Sequence, residues 1–226
     1  MRKEMRADNP VRGVTFFADL KKDRRLTDDE YRRFGLALEK AKGMVWPPAI
    51  SAARFMAFSG FRRGEVIALR WGEIDLARRT AALADTKTGK SIRRLSQAAC
   101  EVLFGLPLAG DLVFPATRGD GRMTGFPKLW AKIAKLGVLP ADVTPHVLRH
   151  SFASIASDAG YSEATIAAMI GHQGRTMTSR YVHSADAVLL AAADAVANRI
   201  VDLMEQNTNI VVGLRGAQRK SLSAEV

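Results

Sequence analysis

Residues 59–95, SGFRRGEVIALRWGEIDLARRTAALADTKTGKSIRRL, contain the change of hydrophobic period that decides the fold. Gly60 reads as the stop of a preceding helix, and Gly64–Leu69 as a short helix of its own. From Ile74 the period shortens. Ile74, Leu76, Thr80, Ala82 and the segment 91–95 read as brief strands. The turn KTGK, residues 87–90, lies between them, so residues 74–95 predict a hairpin or small antiparallel sheet.

Outward from that sheet the chain is helical. Thr27–Glu30 (TDDE) is a capping-box pattern, which predicts a helix to about Lys42 with Gly43 at its end. Pro47 and Pro48 suit the first turn of a second helix that ends near Gly60. Beyond the sheet, Ser96 caps a helix through about Phe104, and Leu112–Phe114 reads as one more strand. Thr124–Leu136 forms the next helix. Thr144 before Pro145 predicts an N-cap and a helix through Ala159, stopped by Gly160. Ser162 caps SEATIAAMIG, which Gly171 closes. The fold class is therefore α+β, mostly helical with a small antiparallel sheet. Residues 1–26 read as a linker and 27–184 as the main domain. Residues 185–206 read as an amphipathic helix that packs in trans or folds back in cis, and 207–226 as a mobile tail.

Lys and Arg number 34 against 23 Asp and Glu, a net charge of +11. The window 62–94 holds nine basic and four acidic residues, and 122–150 five and one, so these two windows carry nearly all of the excess. Clustering of this kind suits a polyanion, with nucleic acid the first candidate. No apolar run reaches the roughly 18 residues of a membrane span, and the N-terminus lacks a secretory signal pattern. Cys100 is the single cysteine, so an internal disulfide is excluded and a reducing cytoplasm fits.

Several residues could do chemistry. Arg62 follows a helix stop, where a fixed guanidinium can grip phosphate through two hydrogen bonds, and Glu65 is placed to brace it or Arg63. His146 and Arg149 lie three positions apart on a helix and are expected to face the same way, with His150 pointing elsewhere. His172 follows a glycine helix end, Tyr181 comes nine residues later, and Lys87 sits at the hairpin turn. Taken singly, each has an ordinary structural explanation: a surface ion pair, a helix edge, a half-buried tyrosine, a basic turn. Neither HExxH nor a Cys/His cluster with metal-ligand spacing occurs, and GxxxxGK[ST] is absent, so no metal or ATP site is expected.

In order, Arg62 in SGFRRGE, Lys87 in DTKTGK, His146 and Arg149 in TPHVLRHSFAS, and His172 and Tyr181 in MIGHQGRTMTSRYVH resemble the catalytic domain of the tyrosine recombinase, or phage integrase, family. The resemblance covers about residues 25–190. Ser59 and Gln173 stand where the family often has threonine and serine, and neither change removes a reacting group. The resemblance implies that Tyr181 attacks DNA to form a 3′-phosphotyrosyl link. Arg62, Arg149 and His172 would hold the phosphate, Lys87 would protonate the leaving oxygen, and His146 would orient the nucleophile or act as its base. It implies double-stranded DNA as partner, a homo-tetramer on DNA and no cofactor. Arg63, Lys90, Arg93, Arg94, Lys128, Lys132, Arg175 and Arg180 are the expected DNA-backbone contacts. Two alternatives stay open: a DNA-binding module that does not cut, and a topoisomerase that relaxes DNA by the same tyrosine chemistry.

Overall fold

The computed structural model describes residues 24–84, 89–171 and 186–221, with side chains as far as residue 205. In chain order the elements are α1 (Asp28–Lys40), α2 (Pro47–Ser59), α3 (Arg63–Ala68), β1 (Ile74–Asp75), β2 (Thr80–Leu83), β3 (Ser91–Arg94), α4 (Gln97–Phe104), α5 (Phe126–Leu136), α6 (Pro145–Asp158), α7 (Glu163–Ile170) and α8 (Asp186–Ser221). Lys87, His172, Arg175, Arg180 and Tyr181 lie outside the described residues.

The capping box forms as the sequence predicts. Thr27 Oγ1 accepts the Glu30 N–H at 3.2 Å, and Glu30 Oε2 accepts the Thr27 N–H at 2.9 Å. Arg24 donates to the same carboxylate at 2.9 Å, and its hydrogen bond holds the Glu30 carboxyl below the ordinary range despite burial. Residues 24–26, expected as linker, therefore belong to the packed fold, and Leu26 is a buried core residue.

α2 buries Ala49, Ile50, Ala52, Ala53 and all of residues 55–59. A helix that is apolar all round belongs in the middle of a domain, and α2 touches α3, α4, α5, α6 and α8. Beside it the sheet runs β1-β2-β3, antiparallel throughout, with Ala81 opposite Arg93 and Ala82 opposite Ile92. Ala81, Leu83 and Leu95 face the core, while Ile92 is exposed.

Three sequence expectations need correction here. Leu112–Phe114 is a buried loop, not a strand: only Leu112 pairs, through a single bridge to Arg70. Its partner segment turns at once into a 3-10 turn, Trp71–Glu73, which ends the pairing. Thr144 precedes α6 without a side-chain cap bond, leaving Pro145 as the start signal. Finally, α8 does not stop near residue 206 but continues to Ser221. Residues 205–221 contain no proline, and extending a helix that is already nucleated costs little.

The first half of α8 packs in cis. Ala192, Ala193, Val196, Ala197, Ile200, Leu203 and Met204 are buried. The approach to α1 is close because Gly35 has no side chain: a Cβ there would lie 2.6 Å from the Met204 carbonyl oxygen. Arg79, in the turn before β2, ties α8 to the sheet by donating to both carboxylate oxygens of Asp194 at 2.9 Å. Asp194 also accepts the Gln97 N–H at 2.7 Å, so the first free donor of α4 is satisfied from α8. Among the described residues, no helix is long and apolar enough to cross a membrane.

Candidate active site

Arg62 leaves the end of α2 in extended backbone and begins α3. Glu65 then turns back on it. Glu65 Oε2 accepts the Arg62 backbone N–H at 2.7 Å, and Oε1 accepts Arg62 Nη1 at 2.9 Å. The same carboxylate receives a fork from β3: Arg93 Nη1 donates to Oε2 at 2.8 Å and Nη2 to Oε1 at 2.7 Å. Burial pushes the Glu65 carboxyl up, yet the Arg93 bonds and charge, with Arg62 added, hold it below the ordinary carboxylate range.

Arg149 approaches from α6. Its Nη1 donates to the Gly60 carbonyl at 2.8 Å and to the Ile170 carbonyl at 2.7 Å, joining the ends of α2 and α7. The residue is only 3% exposed, and its buried Nη2 has no hydrogen-bond partner among the described residues. Burial, with the neighbouring charges of Arg62 and Arg93, pushes its pKa down to about 9, and Glu65 opposes the shift. The group stays charged near neutral pH, but the surroundings make that charge costly. Arg62 and Arg93 bond one carboxylate, and the Arg149 guanidinium lies near enough to feel the charge of all three. An unpaired buried donor in an excess of positive charge is a strong attractor for an anion.

His146 lies one turn before Arg149, exposed, with its ring 4.5 Å edge-on from His150. Burial of part of the ring lowers its pKa from the ordinary histidine value, and the charges of His150, Arg149 and Arg62 add to the effect. His146, exposed and one turn from Arg149, lies at the rim of the arginine cluster. Two expectations change accordingly. Arg149 turns inward while His146 turns outward, because the guanidinium finds two carbonyls behind α6. His150 faces solvent beside His146 rather than bonding inward, since residues four apart share a helix face.

The structure thus gathers Arg62, His146 and Arg149 around one site and fixes the ends of the segments leading to Lys87 and His172. α7 closes at Gly171, in left-handed backbone at φ +68°, against Arg93. Among the expected backbone contacts, Arg63, Lys90, Lys128 and Lys132 are exposed. Arg94 is largely covered and ion-paired with Asp186. Arg93 cannot reach DNA: its side chain is fully buried, paired with Glu65 and 4.5 Å from the centre of the Phe61 ring. The strand period carried this signal, because Arg93 shares the face of core residue Leu95. Among the described residues, no group of three His, Cys, Asp or Glu could hold a metal ion.

The model of the phage integrase family matches residues 24–187. A shufflon-specific DNA recombinase of Escherichia coli is 33% identical over 178 residues, covering 77% of this chain and 44% of that protein. The chain spans less than half the length of the curated relatives it matches. Among solved structures, an integrase from mycobacterium phage Brujita superposes with a TM-score of 0.61 at 18% identity, over 80% of this chain and 63% of that one. The catalytic core of lambda integrase gives 0.53 at 22% identity, over 66% of this chain and 96% of that one. These two show the mostly helical fold with its small antiparallel sheet.

Proposed function

We propose, from the premise that this chain belongs to the phage integrase family, that it is the catalytic part of a DNA strand transferase that cleaves and rejoins through Tyr181. The observation that supports this reading is that Nη2 of buried Arg149 has no hydrogen-bond partner among the described residues, in a cluster with the charges of Arg62 and Arg93. A DNA phosphodiester supplies an anion for it. Arg149 and Arg62 bind its nonbridging oxygens, with His172 as a further donor, and stabilise the charge that grows on them in the transition state. Tyr181 Oη forms a bond to phosphorus, and the bond from phosphorus to the 5′-oxygen breaks. The leaving oxygen keeps the electron pair and takes a proton from Lys87. The phenol proton passes to His146, whose lowered pKa keeps it neutral and able to accept. The phenol needs this help because its ordinary pKa is about 10. The phosphotyrosyl bond stores the energy of the broken one, so a second 5′-hydroxyl reverses the step on a new strand without ATP.

Exposed Arg63, Lys90, Lys128 and Lys132, with Arg175 and Arg180, contact the DNA backbone in this reading. Assembly on DNA is a homo-tetramer and the compartment is the cytoplasm. Structures described as a lambda integrase dimer on a core site and a tetramer on a Holliday junction make such assembly reasonable for a relative of this fold.

The test is a nicked suicide substrate run on a denaturing gel. A protein–DNA band that disappears in Tyr181→Phe is the expected result. Binding without any adduct would leave a non-cleaving module, and relaxation of supercoiled plasmid without strand transfer would leave the topoisomerase alternative.

A further inference from the structure

We propose that Arg93 is a positioning residue that fixes the anion-binding geometry of Arg62 and sets the place where the chain leaves α7 toward His172. The inference rests on the reading of Arg62 and Arg149 as an anion clamp, and it assigns a task to a residue outside that clamp.

Arg93 touches three segments at once. Its two terminal nitrogens hold both oxygens of Glu65, the carboxylate that also holds Arg62 by backbone and side chain. Its guanidinium plane lies over Phe61, the residue between Gly60 and Arg62. On its far side it fills the space beside Gly171, where a Cβ would come within 2.2 Å of Arg93 Nε. Arg93 is carried by β3, six positions after Lys87 in the sequence. One buried side chain therefore links β3, the Arg62 turn and the end of α7.

The chemistry of the link explains why it is an arginine. Arg62 reaches both Glu65 oxygens, but from two different groups, its backbone N–H and its side chain, and the side chain is still partly exposed. The planar fork of Arg93 fixes the carboxylate plane, and a lysine ammonium, a point charge, cannot. A fixed carboxylate leaves Arg62 one orientation in which its remaining donors point outward. Full burial removes the water that would otherwise let these bonds exchange.

The experiment uses inorganic sulfate as probe and the arginine Nε–Hε NMR resonances of the protein as readout. Sulfate should shift the Arg62 and Arg149 resonances of the wild type. Arg93→Met, checked for folding by circular dichroism, should bind sulfate roughly tenfold more weakly or worse, a loss of about one decade in the dissociation constant. Arg93→Lys should recover little, because the charge returns without the fork. An Arg93 that serves only stability would lower the melting temperature of the variant and leave its sulfate affinity at the wild-type value, which would overturn the proposal. Should Arg93→Met fail to fold, Arg93→Lys decides, since it keeps the buried charge and Glu65. Weak binding by the folded lysine variant supports the link, and wild-type binding ends it. Sulfate that moves neither Arg62 nor Arg149 in the wild type would instead remove the clamp reading itself.

Discussion

The seam between α1 and α8 and the cluster of Arg62, Arg93 and Arg149 are both built from buried contacts and arginine–carboxylate pairs, but the accounts balance differently. Around α8 each of three arginines has its own carboxylate: Arg79 and Arg94, of the sheet and its turn, pair with Asp194 and Asp186, and Arg199 pairs with Asp28 of α1. In the cluster Arg62 and Arg93 share Glu65, while Arg149 bonds two carbonyls and its Nη2 has no hydrogen-bond partner among the described residues. The pairs around α8 are one to one, whereas the cluster gathers three guanidiniums near one carboxylate.

The sharpest way to break this contrast is Glu65→Gln. It leaves Arg93 buried without a counter-charge and should lower stability by about 3–5 kcal/mol, read by urea titration. A loss under 1 kcal/mol would mean that the cluster is far more solvated than its burial implies. Next comes Arg149→Lys, which should slow adduct formation by about 10²–10³-fold, the scale of removing one oxyanion donor, in a single-turnover assay. Asp194→Ala removes both the Arg79 pair and the first-turn acceptor of α4, and should cost about 0.5–2 kcal/mol by thermal melt. Ile200→Val trims one buried methyl group from the seam and should cost about 0.5–1.5 kcal/mol, with adduct formation unchanged.

The pH dependence distinguishes two groups of the cluster, Glu65 and His146. Glu65 has a folded pKa below its unfolded one, so its stabilisation is fully present above the unfolded carboxylate value. It is lost as pH falls through the folded pKa. His146 has a folded pKa below the ordinary histidine value. The unfolded chain therefore takes up its proton first, and stability from this group falls as pH drops below that ordinary value. As the base, His146 would stay active to correspondingly lower pH. Replacing His150 with Gln removes one of the charges that depress it and should move the acid limb of the rate profile slightly upward. An unmoved limb would assign that limb to another group.

Much of this was legible in the sequence because it is written locally. The Thr27–Glu30 box, the Pro47 and Pro145 starts, the Ser96 and Ser162 caps and the Gly60 and Gly171 stops each depend on a few neighbouring residues. Arg62, His146 and Arg149 were legible as a set through motif order. What local reading could not supply is which way a long side chain turns. Arg149 turns inward because two carbonyls, from Gly60 and Ile170, wait there, and both lie far off in sequence. Arg93 read as a surface cation because its partner Glu65 is 28 positions away. The length of α8 was missed because Asn, Thr and Gly after residue 205 suggest fraying, and composition alone does not end a helix.

The short stretch at residues 24–26 runs beside α6 like a stitched hem. Arg24 Nε donates to Asp142 just before that helix at 2.8 Å, the Leu26 N–H donates to Ser151 Oγ at its middle at 2.8 Å, and Arg25 pairs with Asp158 at its last turn. A mechanical pull on Arg24 therefore loads the helix that carries His146 and Arg149 at three points. In an optical-trap experiment with the force applied there, the three fastenings should open before the core gives way.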